Sequence, residues 1–329
     1  MKLTTIADGS IDGRLHIVTR NLERMMPAQA ASTLQRALDD WEVIAPRLEE
    51  EFAALSAAPD AEGTLAFVQA NALAPLPRAW QWLDGSAFAS HGELMSQVFG
   101  IENVAQSGRP LMYQGVSDRF LSSREDVPFP NEDDGIDFEG EFGIITDRVP
   151  MGVSVEAARH YIRLVVLIND WSLRRIAPIE MGTGFGWIQA KPPCSVAPVA
   201  VTPDELGSAW QRCQVDLPLI VDYEGSRFGA AIGSAMDYGF DRLVSHAAYS
   251  RSLVPGTIIG SGTVSNANFR DIGSSCIAER RGIEMVDLGE AVTPYMKFGE
   301  SVRMKADLPD GTPMFGSIDQ RVAPVPRSA

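Results

Sequence analysis

The segment Gly135-Ile-Asp-Phe-Glu-Gly-Glu-Phe-Gly-Ile-Ile145 constrains the fold of this chain more than any other. It reads as a strand with Phe138, Phe142 and Ile144 on one face. Side chains alternate across a strand, so Glu139 and Glu141 fall together on the other face, about 7 Å apart at Cα. A Glu-x-Glu pair is by itself most often the solvated face of an edge. Two carboxylates on a face that looks inward repel each other and are costly to desolvate, unless a cation sits between them. A third acid, Asp170, ends the apolar run Leu164-Val-Val-Leu-Ile168-Asn-Asp170, a second expected buried strand. Three acids on strands suggest an oxygen-ligand site for a hard divalent cation: Mg²⁺, Mn²⁺ or Ca²⁺.

At 329 residues, with 45% hydrophobic and 22% charged residues, the chain has material for one large domain or two smaller ones. Its net charge of −15 argues against nucleic acid or anionic membrane as partners, since both reward basic patches. Part of that excess could be acids neutralised by a bound metal. Cys194, Cys213 and Cys276 have no CxxC spacing, which makes a poor disulfide framework and a poor zinc site. No apolar run is long enough to span a bilayer, and a reducing, cytoplasmic setting is expected.

Strands near Lys2–Ile6 and Arg14–Val18 flank a turn-rich segment and read as a hairpin. An amphipathic helix follows: Ser32 is the expected N-cap in a capping box with Gln35, and Leu34, Leu38, Trp41, Ala45, Leu48, Phe52 and Leu55 keep helical spacing. Pro46 predicts a kink or a two-piece helix. Ser56–Gly63 and Leu73–Pro77 read as loops, and a boundary placed there divides a small N-terminal α+β module, residues 1–77, from a main body, residues 78–329. Further on, helices are expected at Ser154–Leu164, with Ser154 as N-cap, and at Leu243–Ser250. Strands are expected at Val215–Val221 and Gly256–Ser261, with a closing hairpin from Ser301–Lys305 and Met314–Ile318. The pattern predicts an α+β, mainly β fold.

Of the four histidines, His16, His160 and His246 read as structural or exposed. His91 lies in the small-residue segment after Trp80-Gln-Trp82, where there is room for a ligand, and its near-neutral pKa suits proton transfer. Gly182-Thr-Gly-Phe-Gly186 lacks the features of a phosphate cradle and reads as a flexible loop. Ser172 and Ser195 lack a Gly-x-Ser-x-Gly context, so a serine nucleophile is not expected. Cys194 reads as a packing residue, and Lys191, in an apolar, proline-rich stretch, could supply positive charge to a site.

Asp137-Phe-Glu-Gly-Glu141, Asn169-Asp-Trp-Ser-Leu-Arg174, Lys191 and Gly260-Ser-Gly-Thr263, in that order, resemble the motifs of the fumarylacetoacetate hydrolase family, over roughly residues 80–325. The resemblance, nearest to the fumarylacetoacetase branch, implies a mixed β-sandwich roll, a homodimer and one divalent cation, Mg²⁺ before Mn²⁺ or Ca²⁺. Glu139, Glu141, Asp170 and the upstream Asp84 would be its ligands. His91, seven residues after Asp84, would be the general base, held by Glu279. Lys191 would stabilise developing negative charge, and Tyr113, Arg174 and Thr263 would contact substrate. The implied reaction is hydrolysis of a carbon–carbon bond in a β-diketone such as an acylpyruvate or fumarylacetoacetate. The chain departs from the pattern at Ser86 and Gly100, where the family has tyrosine and arginine. It departs again at Arg175-Ile-Ala177, which loses a glutamine, and at Ala190-Lys-Pro192. These changes touch the substrate contacts more than the metal and base positions. A decarboxylase, hydratase or isomerase of 2-oxo acids, or a silent 2-oxo acid binding protein, would fit the same fold.

Overall fold

The computed structural model describes residues 1–99 and 108–326, so Gly100 lies outside the described residues. The unbroken apolar run expected of a buried strand is the centre of the molecule. Ile162–Asn169 pairs antiparallel with Gly140–Thr146, placing Ile168 opposite Glu141 and Asn169 opposite Gly140. Val165 and Leu167 belong to one core, Leu164, Val166 and Ile168 to another. Both faces are buried, which is why the run is continuous rather than alternating.

From this pair the large sheet extends in two directions. On one side come Ala200–Val201, Lys2–Ile6, Arg14–Val18, Arg24–Pro27 and Leu65–Ala66; on the other, Ile258–Gly260, Trp82–Ser86 and Leu111–Gly115. A second, five-stranded sheet runs Ser226–Ile232, Pro218–Tyr223, Ser301–Asp307, Pro313–Pro324 and Val127–Phe129. Phe142 and Ile144 share a core with Leu219, Val221, Met304 and Ile318 of that sheet. On the opposite face Leu3, Ile17 and Val166 pack with Leu34, Leu38, Leu48 and Phe52 of the N-terminal helices. The large sheet is thus the middle of three layers, in a mixed, mainly β architecture as expected.

Several boundaries differ from expectation. The helix cap is Thr33, not Ser32: Thr33 has extended backbone and its hydroxyl accepts from Arg36 N at 3.1 Å. Position 36 is an arginine, so no capping box forms. The helix is in two pieces, Leu34–Asp39 and Trp41–Ala57, but the break is at Asp40. Pro46 stays inside the second piece on its exposed face, where water can satisfy the carbonyl it leaves free. Ser154 caps a single turn, Val155–Ala158, and the expected helix ends there because Ile162 onward is taken into the central strand. The strand expected at 135–145 is divided into Ile136–Asp137 and Gly140–Thr146. Between them Glu139 N donates to the Asn169 side chain at 2.9 Å instead of to a ladder carbonyl.

The segment 215–221 is likewise split, into Gln214–Val215 and Pro218–Tyr223. Gly182 lies on a short helix, Ala177–Thr183, and only the residues after it form the expected loop. The later helix is Phe240–Ala247, starting before the predicted Leu243, and Ile258–Gly260 is shorter than the strand predicted there. The N-terminal hairpin occupies the predicted residues, and the closing hairpin covers and extends its prediction.

Candidate metal centre

Two strands, the break that precedes one of them and the residue after the central strand bring the acids together. Asp84 sits opposite Gly260 in a parallel pair, and Gly260 sits opposite Gly143 on the strand that carries Glu141. A Cβ at Gly260 would lie 2.4 Å from Asp84 Oδ1 and 2.8 Å from Glu141 Oε2, so only glycine lets the two carboxylates face each other here. Gly262 has φ +77°, and its N–H donates to Asp84 Oδ1 at 3.1 Å. Glu139 lies at the strand break, and Asp170 follows the central strand, its N–H donating to Glu139 O at 3.0 Å. One oxygen of each of Asp84, Glu139, Glu141 and Asp170 lies within 4.8 Å of the others, and all four side chains are buried.

The charges in this cluster are unevenly compensated. Lys191 Nζ donates to Glu139 Oε2 at 2.9 Å and to Asp170 Oδ2 at 2.5 Å. Arg174 donates from Nε to Asp137 Oδ2 at 2.7 Å and from its terminal nitrogen to Glu139 Oε1. Burial alone would raise Glu139, but Arg174 and Lys191 hold it well below the usual carboxylate range. Burial would likewise lower Lys191, but Asp170 and Glu139 keep it firmly protonated. Asp84 is pushed up by burial and by Asp170, and Glu141 by burial and by Asp84. Neither oxygen of Glu141 has a hydrogen-bond donor among the described residues. With all four acids ionised, the two cations would leave two negative charges, and the raised Asp84 and Glu141 are where that excess falls. Buried acceptors without donors, all-oxygen ligand chemistry and that residual charge fit a hard divalent cation.

Asp170 is further held by Tyr113, whose hydroxyl donates to Oδ2 at 2.7 Å, and by Cys194, whose thiol donates to Oδ1 at 2.9 Å. Burial and Asp170 raise both groups, which keeps them protonated as donors. Cys194 therefore does more than pack, contrary to expectation. Its position three residues after Lys191 was the available signal. Asp137, quoted only as part of a motif, anchors Arg174 and also accepts from Ile277 N at 2.7 Å and Ala278 N at 2.9 Å, the first turn of the helix Ile277–Leu288.

That helix carries Glu279, and the helix Ala89–Phe99 packed against it carries His91. His91 Nδ1 is 3.8 Å from Glu279 Oε1, beyond hydrogen-bond distance, and that oxygen accepts from Ser265 Oγ, itself 2.8 Å from Ser90 Oγ. Ser90 and Ser265 were not singled out from the sequence, and no spacing pattern marks them.

Asp84, His91, Tyr113, Glu139, Arg174, Lys191 and Thr263 line one cavity of about 350 Å³. Glu141 and Asp170 lie fully buried beside it, and Glu279 lies behind His91. All ten candidate residues are thus in or next to one site. Arg174 reaches the cavity already bound by two carboxylates. Ser86 is exposed at the cavity wall.

The model of the fumarylacetoacetate hydrolase C-terminal domain matches residues 81–323, and that of fumarylacetoacetase N-terminal domain 2 matches residues 1–78. No protein of curated function matches the chain in sequence. Among solved structures, the chain is similar to maleylpyruvate hydrolase from Sphingobium sp. SYK-6, solved with manganese(II) and pyruvate. The two are 16% identical over 98% of this chain and 99% of that one, with a TM-score of 0.64. Fumarylacetoacetate hydrolase from Exiguobacterium antarcticum is 14% identical over 98% and 99%, with a TM-score of 0.63. The 5-carboxymethyl-2-hydroxymuconate delta-isomerase from Mycobacterium smegmatis is 17% identical over 99% and 100%, with a TM-score of 0.59. At such identities the likeness speaks for the fold.

Proposed function

The chain belongs to the fumarylacetoacetate hydrolase family, and from that premise we propose that it is a metal-dependent hydrolase of a carbon–carbon bond in a β-diketo acid of the acylpyruvate type. The observation that carries the reading is the buried cluster of Asp84, Glu139, Glu141 and Asp170 sharing one cavity with Lys191 and His91. A divalent cation held by the four carboxylates would act as a Lewis acid toward the substrate's carbonyl oxygens.

The protein's own residues supply the rest. Glu279 faces His91 Nδ1, which leaves Nε2 to take a proton from water. The water oxygen adds to the acyl carbonyl carbon. The carbon–carbon bond then breaks with its electron pair going to the 2-oxo acid fragment, and His91 returns its proton to that carbon. The products are a carboxylic acid and a 2-oxo acid. Lys191, kept cationic by Glu139 and Asp170, stabilises the negative charge as it develops. Arg174 and Cys194 orient Glu139 and Asp170, and Thr263 and Tyr113 contact the substrate.

The test is turnover of acylpyruvates and of oxaloacetate with Mn²⁺ or Mg²⁺ and then with EDTA, for wild type and His91→Ala. Cleavage of acylpyruvate to acid plus pyruvate is expected, abolished by EDTA and lowered roughly 10²–10⁴-fold by the substitution. Release of CO₂ from oxaloacetate with acylpyruvates untouched would replace the hydrolase by a decarboxylase.

A further inference from the structure

The cavity has charged and apolar parts. Its described cations are Arg174 and Lys191, and each is already shared between two carboxylates: Asp137 and Glu139 for Arg174, Glu139 and Asp170 for Lys191. The remaining basic group, His91, faces Glu279. The apolar part consists of Leu111, Met112, Met181 and Trp187, together with the ring of Tyr113. Leu111 and Met181 are 43% and 54% exposed, which puts them at the mouth. The rings of Tyr113 and Trp187 lie 4.8 Å apart, tilted by 60°. This wall is built in advance. The Glu180 carboxylate, on the helix that carries Met181, accepts from the backbone N–H groups of Ile188, Gln189 and Ala190, which ties the segment just after Trp187 to that helix.

We propose that the substrate is a monoanion, a 2-oxo or 2,4-dioxo acid whose far end is an uncharged alkyl or aryl group. This rests on the reading of the cavity as a 2-oxo acid site and narrows its substrate class. Among the described lining residues the only lysine and arginine, Lys191 and Arg174, stand at the carboxylate cluster. A second carboxylate at the far end would therefore be partly desolvated against Leu111, Met112, Met181 and Trp187 with no described cation placed to receive it, which is disfavoured. An apolar tail instead covers that wall and gains about fourfold in affinity for each methylene removed from water.

The experiment measures, on the Mn²⁺-loaded protein, kcat/KM for 2,4-dioxopentanoate, 2,4-dioxooctanoate and the carboxylate-tailed fumarylpyruvate. Calorimetric binding of 2-oxopentanoate and 2-oxoglutarate is measured alongside. These two ligands have the same chain length and differ in a terminal methyl or carboxylate. The longer dioxo acid is expected to be cleaved several-fold better than the shorter one, and 2-oxopentanoate to bind at least tenfold tighter than 2-oxoglutarate. Met181→Arg, first checked for an unchanged thermal transition, should narrow that ratio by supplying a free cation. Cleavage with fumarylpyruvate preferred overturns the proposal and leaves the hydrolase reading intact. No cleavage of any dioxo acid, with 2-oxopentanoate still bound more tightly, overturns the hydrolase reading and keeps this one. Equal binding of the two ligands, or binding of neither, overturns the proposal.

Discussion

Gly260 stands between Asp84 and the strand of Glu141, and its missing Cβ is what leaves room for two facing carboxylates. Gly260→Ala forces a methyl against Asp84 Oδ1 and the Trp82 ring, each 2.4 Å away. Overpacking of this kind costs roughly 1–3 kcal/mol. The variant is expected to melt earlier and to lose most of its stabilisation by Mn²⁺, which thermal unfolding with and without the ion checks. Glu141→Gln separates charge from shape. Burial and Asp84 push the Glu141 carboxyl up, so the metal-free wild type must either bury that anion or bind a proton there, and the neutral amide should leave the metal-free variant at least as stable as wild type. The same variant should gain far less from Mn²⁺; a variant stabilised by the ion as strongly as wild type would speak against Glu141 as a ligand. At this scale the acids were legible because strand alternation and motif order mark them. Cys194 and Ser265 were not, since each reaches its partner, Asp170 or Glu279, only through tertiary packing.

Elements decide whether those residues meet. The helix Ile277–Leu288 brings Glu279 to His91, and its first turn is pinned by Asp137 through Ile277 N and Ala278 N. A carboxylate at a helix N-terminus satisfies orphan N–H groups and complements the helix dipole. Asp137→Asn keeps the shape but removes the charge that Arg174 also uses, so a loss of about 1–3 kcal/mol in urea unfolding is expected, together with a lower kcat. Legibility at this scale was uneven for a physical reason. The hairpin Lys2–Ile6 with Arg14–Val18 has local turn chemistry and was read at its boundaries. Residues 136–223 are governed by pairing between distant segments, which overrode the helical signal after Ser154 and divided two expected strands.

The strand Lys2–Ile6 supplies a second test. Lys2 is buried, its ammonium donating to Arg20 O at 2.8 Å and Pro313 O at 2.5 Å, and burial lowers its pKa to about 8. The unfolded chain holds this proton up to about 10.4, so between the two values it binds more protons than the folded one. Stability from this group therefore rises as pH climbs from about 8, by at most about 1.4 kcal/mol per pH unit. Lys2→Met should remove that slope. Its carbonyl partners lose a donor at every pH, so the slope and not the offset carries the prediction, and parallel stability-against-pH curves for the two proteins would refute it.

Across the whole molecule, the cluster joins segments far apart in the chain: Asp84, the 139–141 strand break and Asp170, with Lys191 crossing between Glu139 and Asp170. The layered sheets position these segments, and in return the segments bring four like charges into a dry interior. An ion that neutralises them binds the folded chain and has no such site in the unfolded one. Linkage then sets the size of the effect: free Mn²⁺ at 100 times its Kd stabilises by about 2.7 kcal/mol. For a chain this long each kcal/mol moves the melting temperature by about 2 °C or slightly less, so a rise near 5 °C is expected, reversed by EDTA. The shift should be one cooperative displacement of the whole transition, because the ligands belong to the sheet that both cores share. A transition that ignores both Mn²⁺ and EDTA would mean that Lys191 and Arg174 suffice for the cluster, with Asp84 and Glu141 protonated, and the metal reading would fall with it.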